Sequence, residues 1–478
     1  MRVTLPFLLT FVFSIPSFAA GPAIGPDFAE RMNRLEAETR ALRAELQQLR
    51  QEPVRLPRVG ATPVSVTAPG VDEDVDYYTW EELQAEIRRN AWTKGDFKIV
   101  PYGFLWANMV YETQRTWPGY GSFTGWVYSP DFEKGDAFAI DGRNTRLGLD
   151  VAGPRLWNFN CAQSGGKVEI DFQGGFSGTE NKAGVLLRHA YWEIKTDDYR
   201  ILFGQTWDVI SPLYPTTTMY TIYWWAGNIG YRRPQLRFER YLHFSPTCLV
   251  TLQGSLNHDP LEGSTFLFEV DDANAGWPII QGRAAVTLGY RGKGYRPGTV
   301  GFSGHIGNEG VNDFLTGGDN DEWFSTWSVN VDVDVPVSDR LGFRGEFFYG
   351  KNLKTYLGGI GQGDDWLQGT YDVHAHGGWL ETYFYWTPFL HSHLGCGVDN
   401  PRDADLDAAP TGLTADRRVY NQFYYANLLY DMTEKFRLGV EVSVWKTGHK
   451  DWDWWSGQYY YLAPGDSVRT EFMGKYAF

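Results

Sequence analysis

The sequence predicts an all-β protein: a transmembrane antiparallel β-barrel of about 16 strands, preceded by an N-terminal periplasmic coiled-coil helix. Three observations predict this fold. The final segment alternates between two faces, aromatic residues are abundant although the mean hydropathy is low, and the connections alternate between long and short. The predicted segments are a signal peptide (1–19), a coiled-coil segment (20–52), a Pro-rich linker (53–78), a short helix (79–93) and the barrel (94–478).

The final segment, Ser467 to Phe478, has the pattern of a strand with one face toward lipid and one toward water. Phe478, Tyr476, Gly474, Phe472 and Thr470 share one face, and Lys475, Met473, Glu471 and Arg469 share the other. A soluble sandwich strand can alternate in the same way, but a final strand that ends in Phe resembles the end of bacterial outer-membrane barrels. The resemblance implies that Phe478 is a signal for the barrel-assembly machinery. A closed barrel also requires the first strand to pair with the last.

The composition favours a barrel over a soluble protein or a helical membrane protein. Hydrophobic residues make up 43% of the 478 residues and the mean hydropathy is −0.37, yet aromatic residues reach 16%. A barrel in lipid needs apolar residues on its outer face alone, together with aromatic girdles. After the N-terminus no stretch of about 18 apolar residues occurs, which excludes helical membrane spans. The net charge of −15 argues against a nucleic-acid partner.

The N-terminal segments indicate export and a helical region before the barrel. Arg2, an apolar run over 5–18 and a small-residue site near Ala19 predict a secretory signal. Apolar residues then occupy alternating a and d positions of a heptad repeat, at Phe28, Met32, Leu35, Leu42, Leu46 and Leu49, with Thr39 at the remaining a position. A single amphipathic helix resting on a surface is the alternative. Four prolines between 53 and 78 predict an extended linker, and a capping box at Thr79 predicts the start of the short helix.

Sixteen strand-like segments follow. They are predicted to start at Phe97, Arg143, Gly166, Val185, Tyr199, Pro234, Thr247, Pro278, Thr299, Phe324, Arg340, His376, Leu390, Val419, Lys435 and Ser467. Short turns such as 196–198 and 433–434 separate even strands from the next odd ones, whereas connections from odd to even strands, such as 114–142 and 206–233, are long. In a β-sandwich, the length of a connection is not expected to depend on whether the preceding strand is odd or even. Outer-membrane barrels, in contrast, have long loops outside and short periplasmic turns.

Several motifs between about Lys94 and Tyr241 carry a family resemblance. They are GDFKI at 95–99, NTRLGLD at 144–150, LRHAYWE at 187–193, FGQTWD at 203–208 and RRPQLRF at 232–238. The chain here resembles trimeric outer-membrane porins of the DcaP type and, more distantly, polyphosphate-selective porins. The resemblance implies a sixteen-stranded barrel in a homotrimer, a third long loop folded inward to narrow the pore, and uptake of small anionic solutes.

A diffusion channel requires a narrow polar passage rather than a nucleophile. The expected passage is lined by lumen-facing residues and by the third loop: Arg146, Arg188, Arg232, Arg233, Gln235, Arg237 and Arg283 from the wall and its rim, and Tyr220, Tyr223, Trp224 and Trp225 from the loop. Arg188 is ambiguous by parity and is included through the LRHAYWE motif. The alternative for these arginines is pairing with lumen acids such as Glu169, Asp171 and Glu239, which would hold the wall together.

Other side chains that carry chemistry lack a convincing pattern. The pairs His374/His376 and His391/His393 have the spacing of strand-borne metal ligands, but they are predicted at opposite ends of the barrel, so solvated histidines are expected and no metal or cofactor is predicted. Three widely spaced cysteines argue against a disulfide framework, although a single bridge stays open. No lipase elbow or P-loop is found, so an enzyme is not expected.

The sequence therefore predicts a passive porin in the bacterial outer membrane, with its N-terminal segment in the periplasm and a preference for small anions. Much of the acid lies in outer segments such as Asp364 and Asp365, so the arginines at the narrowest point should decide selectivity rather than the net charge. The expected partners are outer-membrane lipid, two further copies of the chain, the assembly machinery and small hydrophilic solutes. A structural tether, with the barrel as anchor and the N-terminal segment on the cell wall, is the alternative.

Overall fold

The computed structural model describes residues 92–118, 123–174, 183–258, 263–265, 268–270, 277–290, 296–311, 322–363, 372–410 and 416–478. The predicted signal peptide, coiled coil, linker and nearly all of the short helix lie outside the described residues and stay predictions. Within the described residues, no helix is long and apolar enough to cross a membrane.

Sixteen strands form one closed antiparallel barrel. They are β1 (Phe97–Glu112), β2 (Arg146–Leu156), β3 (Ala162–Asp171), β4 (Leu186–Lys195), β5 (Tyr199–Trp207), β6 (Arg232–Ser245), β7 (Cys248–Asn257), β8 (Ile279–Leu288), β9 (Gly298–Val311), β10 (Glu322–Pro336), β11 (Leu341–Lys351), β12 (His374–Tyr385), β13 (Leu390–Pro401), β14 (Arg417–Thr433), β15 (Phe436–Asp453) and β16 (Gly465–Ala477). The sixteen predicted strands are confirmed. Each predicted start lies within four residues of the observed one.

Short elements decorate the barrel. Trp92–Lys94 and Ala137–Asp141 pair with β1, and Gln458–Tyr461 pairs with β15. Thr116–Trp117 pairs with Trp126–Val127, and Gly263–Thr265 pairs with Phe268–Val270. Single 3₁₀ turns lie at Trp157–Phe159, Lys354–Tyr356, Gly359–Gly361 and Asp403–Leu406.

The barrel closes where the sequence predicts. β16 pairs with β1 from Phe104↔Ala477 to Glu112↔Arg469. Every strand is antiparallel to its neighbours, and the connections alternate between short turns at one end and long loops at the other. We call these the short-turn end and the long-loop end. The long connections used below are L1 (113–145), L3 (208–231), L6 (352–373) and L7 (402–416).

The strands alternate between an apolar outer face and a polar inner face. On β15, Val440, Val442 and Val444 are more than 40% exposed, whereas the intervening Glu441 and Ser443 are 2% exposed. The same alternation appears in β16, as the sequence predicts. Without lipid the outer valines are exposed, and within a bilayer they would contact hydrocarbon.

Candidate functional site

L3 lies inside the barrel. It joins β5 to β6 without forming a barrel strand itself, yet Ile210, Tyr223 and Ala226 of this loop are fully buried. Its backbone contacts side chains of β8, β11, β12, β14 and β15, so it crosses the lumen to the far wall before it returns. The inward loop that the family resemblance implies is therefore present.

Lumen-facing carboxylates hold L3 against the far wall. An irregular loop has backbone N–H groups without ladder partners, and each of them needs an acceptor once it is buried. The acceptors come from the wall: Glu346, Glu381 and Glu441 accept from the N–H groups of Leu213, Thr216 and Thr218, at 2.7, 2.5 and 3.1 Å. Charge-assisted bonds of this kind fix the path of the loop along β11, β12 and β15.

Tyr223 joins L3 to the wall through its ring as well as its hydroxyl. The hydroxyl donates to Glu441 at 2.8 Å, and the ring stacks on Phe423 at 3.7 Å between centroids with 10° between the planes. Trp445 stacks on the same ring at 5.3 Å. Tyr223 is therefore part of a packed aromatic layer rather than a surface that a solute would meet.

A second aromatic cluster joins L3 to L1 and L6. Trp117 and Trp126 of L1 stack at 4.2 Å, and Trp225 packs edge-on against both. The backbone N–H of Trp225 donates to the carbonyl of Leu357 in L6 at 2.9 Å. L1, L3 and L6 thus pack together within the long-loop half of the barrel.

A cavity of about 200 Å³ lies between L3 and the opposite wall. Its polar lining comes from β2, β3, β4 and β6: Arg146, Glu169, Arg188, His189 and Arg232. Its apolar lining comes mostly from L3: Trp207, Tyr214, Tyr220, Ile222 and Trp224. We call this cavity the arginine cleft. It brings three of the predicted arginines and two of the predicted loop aromatics to one place.

Arg188 reaches the cleft through a β-bulge. In the β3–β4 ladder Glu169 pairs with His189 and Ile170 pairs with Leu187, so Arg188 is the extra residue. A bulge re-aims side chains, and here both Arg188 and His189 are buried within the barrel. Arg188 lies 2.7 Å from Oε1 of Glu169 and 2.8 Å from Oδ2 of Asp171. The sequence could not assign Arg188 to the inner or the outer face because the bulge interrupts the alternation of the strand.

Arg232 differs from Arg188 because its guanidinium has no hydrogen-bonded acid. Its side chain is 1% exposed, and its three guanidinium nitrogens have no hydrogen-bond partner among the described residues. Instead the group lies 4.7 Å from the ring centroids of both Trp207 and Tyr231, and 5.9 Å from that of Trp224. Aromatic faces stabilise the cation but leave its directional donors unused.

Tyr220 closes the cleft from the L3 side. Its hydroxyl donates to Oδ2 of Asp171 at 2.9 Å, across the lumen from the wall that holds Tyr223. Burial raises the pKa of Tyr220 to about 12, and nearby Arg232 opposes the shift only in part, so the hydroxyl keeps its proton as a donor at neutral pH.

The other predicted arginines hold the wall. Arg233 lies 2.8 Å from Asp208 and stacks on Tyr356 at 3.8 Å. Arg237 donates to Gln235 at 2.8 Å and lies 3.4 Å from Glu239, and Arg283 makes two hydrogen bonds to Asp332 at 2.9 and 2.6 Å. None of these side chains lines the arginine cleft. For them the geometry matches the alternative of pairing with acids.

Some residues of the cleft were not singled out from the sequence, among them Trp207 and His189. Trp207 and His189 stand inside the quoted motifs FGQTWD and LRHAYWE, which was the available signal. His189 faces the hydroxyl of Thr206 at 3.0 Å, and the Trp207 ring stacks with that of Tyr214 at 6.2 Å. The alternation of inward and outward residues could not assign either side chain, because His189 lies next to the bulge and Trp207 ends β5.

The histidine pairs do not meet, but one pair is not solvated as expected. His391 and His393 are each 3% exposed, and their ring nitrogens face one another at 2.7 Å. His393 also faces Glu381 at 2.8 Å, so these rings belong to the lumen wall. The described residues contain no group of three or more potential metal ligands, and Cys161, Cys248 and Cys396 are free thiols.

Comparison with solved structures shows which known proteins share this fold. No protein-family model and no curated protein matches the chain. Among solved structures, it is similar to the outer membrane channel DcaP of Acinetobacter baumannii, with 22% identity and a TM-score of 0.59, over 81% of this chain and 99% of that chain. The anion-selective porin from Comamonas acidovorans matches with 12% identity and a TM-score of 0.49, over 80% of this chain and 100% of that chain. OprB of Pseudomonas putida matches with 11% identity and a TM-score of 0.48, over 84% of this chain and 97% of that chain. The barrel thus has the fold of the DcaP channel, which confirms the resemblance drawn from the sequence motifs.

Proposed function

We propose that this protein is an outer-membrane porin that admits small hydrophilic solutes by diffusion and prefers small organic anions. The observation that carries the proposal is the arginine cleft, where L3 narrows the lumen and three guanidinium groups line one wall. Closed barrels with an apolar outer face are suited to lipid, and an inward loop leaves a passage on one side. A homotrimer assembled by the barrel-assembly machinery, with the N-terminal segment in the periplasm, belongs to the same proposal.

The charges of the cleft favour an anion although the chain as a whole is acidic. The cleft contains three arginines, Arg146, Arg188 and Arg232. The two carboxylates nearby, those of Glu169 and Asp171, both form ion pairs with Arg188. Arg146 and Arg232 make no ion pair within the described residues. Exposed acids further than about 8 Å from the path are largely screened at physiological salt, so the narrow point dominates selectivity.

The shape of the cleft suits an organic anion rather than a bare inorganic one. A guanidinium donates two parallel hydrogen bonds to a carboxylate or phosphate, and three guanidinium groups line the cleft. The rings of Trp207, Tyr214 and Trp224 line the same cavity and offer an apolar surface for the body of the solute. An anion with a flat or ring-shaped body would use both the guanidinium groups and the rings.

Reversal potentials of single channels under a KCl gradient test the proposal. The wild-type channel is expected to prefer anions, and Arg232→Gln is expected to lower the anion-to-cation permeability ratio by roughly twofold or more, because conduction depends on charges at the constriction. Arg402→Gln is the matched control, since that L7 side chain is 66% exposed. A cation-selective wild type would overturn the anion preference. Absence of any solute flux through liposomes would instead favour a tether that uses the barrel as an anchor.

A further inference from the structure

Two cations share one aromatic ring on the lumen wall beside the arginine cleft. The ring belongs to Phe104 of β1, whose register partner on β2 is Arg146. The guanidinium carbon of Arg146 lies 5.2 Å from the ring centroid, and the ammonium nitrogen of Lys475 on β16 lies 4.0 Å from it. The two positive groups are therefore within about 9 Å of one another. The same ammonium lies 5.3 Å from the ring of Trp106.

Neither cation has a carboxylate partner among the described residues, because the nearby acids are engaged elsewhere. Glu471, on the same face of β16, pairs with Arg469 at 3.0 Å. Glu169 pairs with Arg188, and Asp431 of β14 pairs with Arg437 of β15 at 2.5 Å. The Nε of Arg146 is buried without a hydrogen-bond partner.

Cation–π contact alone is a weak reason to hold two like charges together. Each contact contributes about 0.5 to 2 kcal/mol depending on solvation, and the two cations repel one another inside a narrow lumen where solvent screens them less. An anion between them would remove the repulsion and use the donors of both groups. The arrangement is complementary to a ligand of negative charge.

Arg146 links Lys475 to the arginine cleft. On β1 the register partner of Arg146 is Phe104 and that of Lys475 is Trp106, so the two cations flank the same part of this strand. Arg146 lines the arginine cleft and also covers the Phe104 ring, so it belongs to both groups. The Phe104 ring therefore connects Lys475 to the arginine cleft through Arg146.

We propose that Lys475, together with Arg146, forms a second anion subsite through which a small organic anion leaves the arginine cleft. This inference rests on the proposed function. Conduction requires binding that is favourable enough to admit the solute and weak or divided enough to release it. A lysine suits a subsite of weak binding because its ammonium is a compact charge on a flexible stem, whereas a bidentate arginine holds a carboxylate more firmly.

Channel recordings with matched lysine variants test the subsite. Lys475→Gln is expected to lower the anion-to-cation permeability ratio by roughly twofold or more and to reduce the conductance measured in potassium benzoate, because a charge on the conduction path is lost. Lys475→Arg is expected to retain the selectivity. Lys446→Gln is the control, since this lysine of β15 is 42% exposed on the outer face, 3.9 Å from Asp466.

The outcomes separate this inference from the proposed function. A wild-type channel without anion preference would overturn both. An anion-selective wild type with an unchanged Lys475→Gln variant would overturn the subsite alone. If Lys475→Gln does not insert, Lys475→Met repeats the test with the apolar stem kept over the rings. Failure of both variants to form heat-modifiable barrels would mean that Lys475 holds the seam between β1 and β16, and would also overturn the subsite.

Discussion

The hydroxyl of Tyr223 donates a hydrogen bond of 2.8 Å to Oε1 of Glu441, and this contact ties the middle of L3 to β15 across the lumen. Glu441 is 2% exposed and also accepts from the Thr217 hydroxyl, the Thr218 N–H and the Asn427 amide. One carboxylate thus satisfies donors from both L3 and the wall. The width of the passage depends on how firmly this contact is held.

Replacing Glu441 with Gln is therefore expected to loosen L3. The substitution turns one acceptor oxygen into a donor that faces other donors, which costs about 1 to 3 kcal/mol for each buried group left unsatisfied. Single-channel recordings should show a larger mean conductance with more open-channel noise. Glu434→Gln, in the short turn between β14 and β15, is the exposed control. A quiet channel of wild-type conductance would contradict this role.

Arg188 is expected to matter for stability before it matters for selectivity. It is the only described arginine that contacts both Glu169 and Asp171, and all three side chains are nearly fully buried. Arg188→Met would leave two buried carboxylates without their cation, and breaking a buried pair in this way costs about 3 to 5 kcal/mol. The temperature at which the folded band is lost on a gel should fall clearly. Arg155→Gln, at the exposed short-turn end of β2, should not move it, and an equal midpoint for Arg188→Met would exclude the structural role.

The barrel itself could be predicted because its physical signals repeat sixteen times. Each strand alternates a lipid face with a lumen face, and each pair of strands adds a short or a long connection. A misjudged strand would shift only its own boundaries. Arg146 could be assigned to the lumen in this way, because it precedes the outward Leu147 in a regular strand.

The side chains inside the barrel could be predicted only in part, because the path of a loop and a local shift in strand register produce no repeating sequence pattern. Arg188 faces the lumen through a bulge, and a bulge adds one residue that no alternation pattern records. Tyr223 and Trp225 belong to the inward loop as expected, but one is stacked on Phe423 and the other packs against Trp117 and Trp126. Their contacts depend on β14 and L1, which are distant in sequence.

The last prediction concerns the seam where the barrel closes. Gly103 of β1 accepts a hydrogen bond from the Phe478 N–H at 3.0 Å, and a Cβ added at Gly103 would lie 2.7 Å from the Phe478 ring and 2.5 Å from the carbonyl oxygen of Arg146. The ring can turn away, but the carbonyl belongs to the β1–β2 ladder and moves only with the backbone. Overpacking of this kind typically costs about 1 to 3 kcal/mol.

Gly103→Ala is accordingly expected to lower the thermal midpoint of the folded barrel and, because Arg146 lies in the arginine cleft, to alter conductance as well. Gly254→Ala is the matched control, since Gly254 is also a strand glycine on the outer face and its added Cβ would find its nearest neighbour, the Gln281 carbonyl oxygen, at 4.0 Å. That variant should match or slightly exceed the wild-type midpoint, because alanine restricts the unfolded chain more than glycine does. Equal midpoints for the two variants would show that the β1–β2 ladder tolerates the extra methyl group, and that contact between Phe478 and Gly103 does not limit the closure of the barrel.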